Sequence, residues 1–213
     1  RQDWWIVQQI ALGMGLNWAY EHPRDVFAEM GTVMPSLNNI SWDRVDAESS
    51  VTYPCAASDQ PGQEIVFGDG FPTASGRGKL VPASIVPPAE TPDAEYPMVL
   101  TTGRQLEHWH TGAMTRRAVV LDEIEPEAVA CLSPGDLERM QLPSGDTVRV
   151  STRRGVIELK CRADAAVPEG MVFIPFCYAE APANVLTNPA LDPFGKIPEF
   201  KFCAARVESA ATA

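Results

Sequence analysis

Apolar residues at the start of the chain recur at intervals of three and four, which is the spacing of one face of an α-helix. The pattern predicts a helix that Asp3 caps. A second helix is predicted over 24–30, because Pro23 suits the first turn of a helix and Gly31 suits its end. One further helical turn is predicted over 41–45. The apolar positions of the first helix are Val7, Ile10, Ala11 and Met14.

The middle of the chain lacks a helical period. Residues 53–79 are rich in Pro, Gly, Asp and Ser, which predicts loops and small strands. Residues 87–94 contain three prolines. Because proline blocks a helix and removes a backbone donor, this segment is predicted to form a linker between two domains.

Short alternating runs in the second half of the chain predict β-strands separated by turns. Ser133 is followed by Pro134 and Asp136, which predicts a short capped helix that ends at about Met140. This rhythm of strands and turns favours a closed β-barrel over a parallel α/β sheet. The predicted strands are 97–102, 128–132, 147–151, 156–161 and 171–176.

The composition is that of a globular protein with a buried core. The chain has 213 residues, of which 45% are hydrophobic and 21% charged, and its formal net charge is −11 at pH 7. An acidic chain disfavours non-specific binding to nucleic acid or to an anionic membrane, since both need surplus Lys and Arg. A polyanionic ligand would therefore need a locally basic site.

Membrane insertion, disulfides and cysteine-based metal clusters are all disfavoured. The most apolar stretch, 4–20, is interrupted by polar residues, and it is shorter than the roughly 20 apolar residues that span a bilayer. The five cysteines include no CxxC pair, so they are predicted to be reduced and mostly buried. The chain starts without Met or a signal-peptide pattern, and we expect it to begin inside a longer protein.

The densest polar cluster covers 101–117 and carries a formal charge of +2. A strand that ends at Gly103 lets backbone N–H groups approach a phosphate, and Arg104 can bind a phosphate in a bidentate manner. The His, Gln and Thr side chains can pair with the edge of a heterocycle. The cluster is equally typical of a solvated basic loop in which Trp109 and Met114 belong to the core. Its basic residues are Arg104, Arg116 and Arg117.

A zinc site at His108 and His110 is disfavoured. Residues two positions apart on a strand share one face, so the pair could bind one metal ion. No third ligand is near in sequence, and the remaining histidine, His22, lies in the other predicted domain. Zinc sites use three or four protein ligands. No P-loop, nucleophile elbow or GxGxxG motif is present in the sequence.

A second polar cluster lies near the end of the chain. Asn184 offers donors and an acceptor to a heterocycle, and Lys201 offers a positive charge to a phosphate. Taken alone, the cluster is more typical of a surface loop followed by a last strand on which Lys201 faces water.

Together the two clusters resemble the molybdopterin oxidoreductases, which are molybdenum or tungsten enzymes that carry two pyranopterin guanine dinucleotides. The resemblance is strongest to the catalytic subunits of soluble NAD-dependent formate dehydrogenases. It rests on the run HWHTGAMTRR over 108–117, on the Asn184 segment and on the ending PEFKFCA over 198–204.

The resemblance implies an α+β, mainly β fold. A six-stranded double-psi β-barrel, the molybdopterin dinucleotide-binding domain, is expected over 95–208. Before it we expect the helical end of an upstream α/β domain over 1–86 and the linker over 87–94, and after it a short tail over 209–213.

The resemblance also implies which residues hold the cofactor. Arg104 is expected to bind a phosphate or a pterin oxygen, Lys201 a phosphate, and the histidines and Asn184 the heteroatoms of the pterin. No catalytic residue and no metal ligand is expected in this chain. The expected set is Gly103, Arg104, Gln105, His108, Trp109, His110, Thr111, Met114, Asn184 and Lys201.

For the whole enzyme, the resemblance implies reversible oxidation of formate to carbon dioxide at molybdenum or tungsten in bis-molybdopterin guanine dinucleotide. The metal-ligating residue, the substrate-binding arginine and the iron–sulfur cysteines are expected upstream, so the chain alone is expected to be inactive. Expected partners are the rest of the catalytic subunit and NAD/flavin-binding and iron–sulfur subunits in the cytoplasm. Neither nucleic acid binding nor direct membrane insertion is expected.

Other functions stay open at the level of sequence. Another enzyme of the superfamily, such as an assimilatory nitrate reductase, would share the barrel and differ in substrate. A non-enzymatic barrel that serves as a binding module is a third possibility, and a membrane-tethered complex is an alternative to a cytoplasmic one.

Overall fold

A computed structural model describes residues 1–212, and the chain divides into two compact units, Arg1–Ala83 and Ser84–Ala213. The first unit contains three α-helices and a single-turn 3-10 helix over Pro35–Leu37. Helices form at all three places where the sequence predicts them. The small strands predicted within 53–79 are absent from the described structure. The α-helices are α1 (Asp3–Gly13), α2 (Pro23–Val33) and α3 (Trp42–Glu48).

The ends of these helices differ from the predicted ones. Asp3 lies inside the first turn of α1 and is not its cap. Helix α2 begins with a capping box, in which the Asp25 carboxylate accepts the N–H of His22 and the His22 ring accepts the N–H of Arg24. It continues past Gly31 to Val33, because Gly31 keeps a helical backbone, whereas a glycine that ends a helix adopts a positive φ.

The second unit is a closed six-stranded barrel. Around the barrel the strands follow the order β1-β5-β2-β4-β3-β6. The pairs β1–β5 and β2–β4 are parallel, and the other four are antiparallel. The predicted mainly β class and six-stranded barrel are confirmed. The strands are β1 (Met98–Gly103), β2 (Val129–Leu132), β3 (Thr147–Ser151), β4 (Val156–Ala163), β5 (Met171–Pro175) and β6 (Cys203–Ser209).

Alternating burial along the strands builds the core. In β1 and β4 every second residue is buried, as expected when one face of each strand points into the barrel. The interior is aliphatic, and its fully buried members include Leu100, Leu132, Val148, Val150, Val172 and Ile174. Side chains fill the interior of a small barrel of this kind, which favours the loops at its ends as the place for a ligand.

Two α-helices accompany the barrel, α4 (Val119–Ile124) and α5 (Pro134–Met140). The prediction of α5 is confirmed, since Ser133 Oγ accepts the N–H of Asp136 at 3.0 Å. Asp136 is fully buried, and its carboxylate also accepts the N–H of Gly170 at 2.8 Å. The sequence pattern did not predict α4.

Strand pairing places both long connections at one end of the barrel. The ends of β1, β3 and β5 lie beside the beginnings of the other three strands. The connections 104–128 and 176–202 and the hairpin turn 152–155 therefore all leave from this end, which we call the loop end. Single-turn 3-10 helices form within the long connections, at Thr115–Arg117 and Ala183–Val185.

The predicted linker 87–94 contains neither helix nor strand, yet it lies against the barrel. Its Glu90 side chain pairs with Arg154 of the hairpin turn, and its Asp93 pairs with Arg153. Contacts divide the chain between Ala83 and Ser84, before this segment. Across residues 1–212, none of the helices is both long and apolar enough to cross a membrane.

Candidate functional site

The two long connections pack together at the loop end through His108 and Tyr178. His108 Nε2 and the Tyr178 hydroxyl both donate to the carbonyl oxygen of Glu125, at 2.8 and 2.9 Å. The two rings meet edge to face, with 5.5 Å between their centroids. Burial raises the pKa of the Tyr178 hydroxyl, so it stays protonated and available as a donor. One carbonyl thus fixes the first connection against the second.

His108 is an interior residue with 0% of its surface exposed. Because a carbonyl oxygen only accepts, Nε2 carries the proton, and Nδ1 is a buried polar atom without a partner in residues 1–212. A ligand on the surface does not reach this ring unless a donor enters toward Nδ1. The contact of His108 with a pterin therefore stays a prediction, and the structure shows the residue in a supporting position.

The turn over 109–115 displays its side chains to solvent. Trp109 N donates to Thr115 Oγ1 at 2.9 Å and Trp109 O accepts the N–H of Gly112 at 2.9 Å. Gly112 has φ +74° and is enclosed, since a Cβ there would lie 2.7 Å from the carbonyl oxygen of Cys177. Trp109 and Met114 are 60% and 69% exposed, so the interpretation of both as core residues is wrong. The neighbouring His110 and Thr111 are exposed as well.

Arg116 stabilises this turn through two ion pairs and a ring contact. Its guanidinium pairs with Asp122 at 2.8 Å and with Glu180 of the other connection at 2.7 Å. It also lies 4.7 Å from the centroid of the Tyr178 ring. Two carboxylates therefore compensate its charge, and its hydrogen bond to Glu180 lowers the pKa of that carboxyl. The inclusion of Arg116 in a free basic site is wrong.

Four other cations in the two long connections lack carboxylate partners among residues 1–212, and one of them, Lys196, donates to the Pro193 carbonyl at 3.0 Å. The side chains of Arg104 and Arg117 make no ion pair and no hydrogen bond within 1–212, and the Lys201 side chain contacts only the Phe200 ring, 5.8 Å away. Thr102 Oγ1 donates to the carbonyl of Phe200 at 3.1 Å, which holds the Lys201 segment beside the end of β1. The basic residues that do have carboxylate partners in this unit are Arg116, Arg139, Arg149, Arg153, Arg154, Lys160 and Arg162.

Packing explains Gly103 and Gln105. A Cβ at Gly103 would lie 2.7 Å from the Phe173 ring of β5, so the barrel itself requires a glycine there. Gln105 interacts with the Tyr178 hydroxyl through its side chain. Their predicted contacts with a phosphate or a pterin stay predictions.

Asn184 lies in the second long connection at the loop end. It is exposed on the 3-10 helix Ala183–Val185, which is held to the hairpin turn by a hydrogen bond of 2.8 Å from Arg154 Nη2 to the Leu186 carbonyl. Within the described residues, no hydrogen bond or ring contact joins Asn184 to the other nine. The fold thus gathers both clusters at one end of the barrel.

Sequence reasoning missed the residues that hold the long connections in place at the loop end. Tyr178, Glu180 and Arg154 lie far in sequence from 104–117, and they become neighbours of a cluster only through the barrel pairing. A parallel partner strand for β1 would have been the signal, because residues after β5 must then lie beside residues after β1.

Comparison with known proteins then assigns the family. A model described as "Molydopterin dinucleotide binding domain" matches residues 98–204, which span the barrel from β1 to the start of β6. The chain belongs to the molybdopterin dinucleotide-binding family. The matched range includes both clusters at the loop end, so the resemblance to molybdopterin oxidoreductases is confirmed.

Two curated relatives carry names of oxidoreductases. An F420-dependent formate dehydrogenase subunit alpha of Methanocaldococcus jannaschii is 40% identical over 209 residues, covering 97% of this chain and 31% of that protein. The assimilatory nitrate reductase catalytic subunit of Bacillus subtilis is 31% identical over 216 residues, covering 97% of this chain and 30% of that protein. The chain thus spans about a third of the length of these relatives.

A solved structure shares the fold. Acetylene hydratase from Pelobacter acetylenicus matches with a TM-score of 0.71 and 22% identity, covering 98% of this chain and 33% of that one. At this identity the likeness concerns the fold alone. It extends across nearly all of the present chain, and so beyond the barrel.

The donor set at the loop end fits a molybdopterin dinucleotide. A dinucleotide presents phosphates, which need cations free of carboxylates, and flat heterocycles, which need exposed aromatic or amide groups. Arg104, Arg117 and Lys201 are free in this sense, and Trp109 and Asn184 are exposed. Among residues 1–212, no three His, Cys, Asp or Glu side chains lie close enough to hold a metal ion. The residues present therefore suit the organic part of the cofactor.

Proposed function

We propose that this chain is the cofactor-holding part of a formate dehydrogenase catalytic subunit. The cations without carboxylate partners and the exposed Trp109 in the loop-end connections carry the proposal, together with the 40% identity to a formate dehydrogenase subunit alpha. When bound, the cofactor would supply a metal centre that accepts the two electrons released when formate is oxidised to carbon dioxide.

The chain's own residues bind and orient that cofactor. Arg104, Arg117 and Lys201 would bind phosphate oxygens, since a guanidinium or ammonium group without a carboxylate partner gains a strong charge-assisted hydrogen bond. Trp109 offers an aromatic face and Asn184 an amide to a heterocycle. His108 and Arg116 would hold the loop that presents these groups.

The electron acceptor and the partners are separate questions. The sequence predicts NAD as acceptor, whereas the Methanocaldococcus jannaschii relative is named F420-dependent. We propose that the chain works with the rest of a catalytic subunit and with iron–sulfur and acceptor-binding subunits in the cytoplasm. Measuring whether the intact complex reduces NAD⁺ or F420 with formate decides the acceptor. NAD stays a prediction until then.

The test of the proposal is cofactor content and substrate use of the protein isolated with its accompanying subunits. We expect molybdenum or tungsten, GMP released by acid hydrolysis, and formate-dependent reduction of a viologen dye. Absence of both pterin and GMP would contradict the binding function. Nitrate reduction without formate oxidation would instead support the alternative that the Bacillus subtilis relative suggests.

Single variants test the binding residues within that protein. We expect Arg104→Gln to lower the GMP released per chain several-fold. Arg149→Gln is the matched control, because Arg149 pairs with Glu158 on the β3–β4 ladder and lies outside the loop end. Equal GMP content in both variants would show that Arg104 is not a ligand.

A further inference from the structure

The ion pair between Glu90 and Arg154 joins four segments at the loop end. Arg154, in the turn between β3 and β4, donates through Nε and Nη2 to the carbonyl of Leu186 at 3.2 and 2.8 Å. The same guanidinium pairs with both carboxylate oxygens of Glu90. Glu90 Oε1 in turn accepts the N–H of Ala204 at 2.6 Å. We call Glu90 and Arg154 the clamp.

The two residues that the clamp binds lie close in sequence to two expected cofactor ligands. Leu186 follows Asn184 by two residues, and Ala204 follows Lys201 by three. We propose that Glu90 and Arg154 are positioning residues that hold the Asn184 and Lys201 segments at a fixed separation for the cofactor. The inference rests on the proposed function and adds two residues that touch no cofactor themselves.

Burial and geometry suit the clamp to this task. The Arg154 and Glu90 side chains are 22% and 14% exposed, so their interaction is shielded from water. Partial burial alone would raise the pKa of Glu90, but the hydrogen bonds from Arg154 and Ala204 lower it below its usual value. A bidentate pair fixes both direction and distance, which a single point contact does not. Fixing the two segments before binding reduces the entropy lost when a ligand orders them.

The hairpin turn also touches the Asn184 helix directly. A Cβ at Gly155 would collide with Val185 Cγ1 and would lie 3.1 Å from the Val185 carbonyl. The 3-10 helix therefore rests on the turn, and the Arg154 hydrogen bonds hold it in that contact.

Arg153 provides a matched control because it neighbours Arg154 and carries the same charge. It pairs with Asp93, lies 4.6 Å from the centroid of the Tyr96 ring and approaches Glu90 at 3.5 Å. Among the described residues, it makes no hydrogen bond to 183–204. Arg153→Gln thus removes one positive charge from the turn without releasing either ligand segment.

The first experiment measures amide hydrogen exchange in the full 213-residue chain. In Arg154→Gln we expect exchange to rise about tenfold or more for amides of 183–188 and 203–205, while core amides of β2 stay protected. Arg153→Gln should leave the 183–188 amides unchanged. Glu90→Ala, which removes both carboxylate acceptors, is expected to free the Ala204 N–H and serves if Arg154→Gln does not fold. Unchanged exchange in both clamp variants overturns the proposal.

The second experiment titrates the same chains with guanosine diphosphate and follows amide shifts by NMR. We expect Arg154→Gln to weaken binding about five- to tenfold, Arg154→Lys to recover part of the loss, and Arg153→Gln to match the unsubstituted chain. Equal affinities in Arg154→Gln and the unsubstituted chain overturn the positioning role. Absence of binding by the unsubstituted chain counts against the proposed function instead, and the exchange experiment still decides whether the clamp holds the two segments.

Discussion

Neighbouring residues of the same type have different tasks at the loop end. Arg116 and Arg117 are adjacent in the sequence, yet Arg116 pairs with two carboxylates and Arg117 with none within 1–212. A cation with partners stabilises the protein it belongs to, whereas a free cation is available to an anionic ligand. The difference arises from tertiary contact, because Glu180 is 64 residues away in sequence.

The two arginines therefore make a matched pair of variants. We expect Arg116→Gln to lower the free energy of unfolding by about 0.5 to 1.5 kcal/mol, since it removes two partly exposed ion pairs and the contact with the Tyr178 ring. Arg117→Gln should change it by less than about 0.5 kcal/mol and should weaken guanosine diphosphate binding. Urea denaturation and ligand titration of both variants check this. If Arg116→Gln weakened binding and Arg117→Gln lowered stability instead, Arg116 would be the residue that binds the ligand.

The shared carbonyl of Glu125 predicts coupling between His108 and Tyr178. Tyr178→Phe removes one of two donors and should cost about 1 kcal/mol. His108→Phe should cost less, because it also removes the unpartnered Nδ1. The double variant leaves the carbonyl without either donor, so its cost should exceed the sum by about 1 kcal/mol. Additive unfolding free energies in a double-mutant cycle would show that the two bonds are independent.

At the scale of elements, local patterns predicted more than long-range contacts did. The alternating runs of β3 and β4 and the Ser133 cap of α5 are determined by nearby residues, and the structure has them as predicted. The closed order of strands was beyond local reasoning and came from family resemblance. Helix α4 was missed because its six residues are too short to show a helical period. The candidate residues 103–114 were proposed from their chemistry and from the family resemblance, and they stay predictions, whereas Arg154 was passed over as part of a turn.

The proline-rich segment 87–94 is attached to the barrel, which its composition alone does not predict. Its prolines exclude regular structure, but Glu90 and Asp93 attach it to the hairpin turn. A proline-rich segment without helix or strand can therefore be an ordered strap, and here its carboxylates decide that it is one.

This attachment should depend on pH through Glu90. Its pKa is lowered in the folded protein, so the carboxylate contributes stability above the unfolded pKa of about 4.3 and loses it as pH falls through the folded value. We expect the difference in unfolding free energy between the unsubstituted chain and Glu90→Gln to be largest at neutral pH and to shrink toward pH 3. Denaturation curves at several pH values measure it. A constant difference would mean that the charge of Glu90 is not what attaches the strap.

At the scale of the whole molecule, the net charge of −11 does not show that the basic side chains fall into two groups, those with a carboxylate partner and those without. Seven of the twelve basic side chains in 84–212 are paired with carboxylates, and the three that make no ion pair or hydrogen bond, those of Arg104, Arg117 and Lys201, lie in the two long connections. An acidic protein can thus bind an anionic cofactor without attracting polyanions over its general surface.

The position of the strap predicts how the chain can be shortened. All contacts of Glu90 and Asp93 lie within 84–213, the second compact unit, so a fragment that begins at Ser84 should fold cooperatively with its barrel intact. A fragment that begins at Glu95 keeps every strand but leaves Arg154 and the Ala204 N–H without Glu90. We expect it to be less stable by about 1 to 3 kcal/mol, or roughly 3 to 6 °C in Tm per kcal/mol. Thermal denaturation of the two fragments checks this. Equal melting temperatures would show that the segment before Glu95 is only a linker, and that the barrel's own packing suffices to hold the loop end.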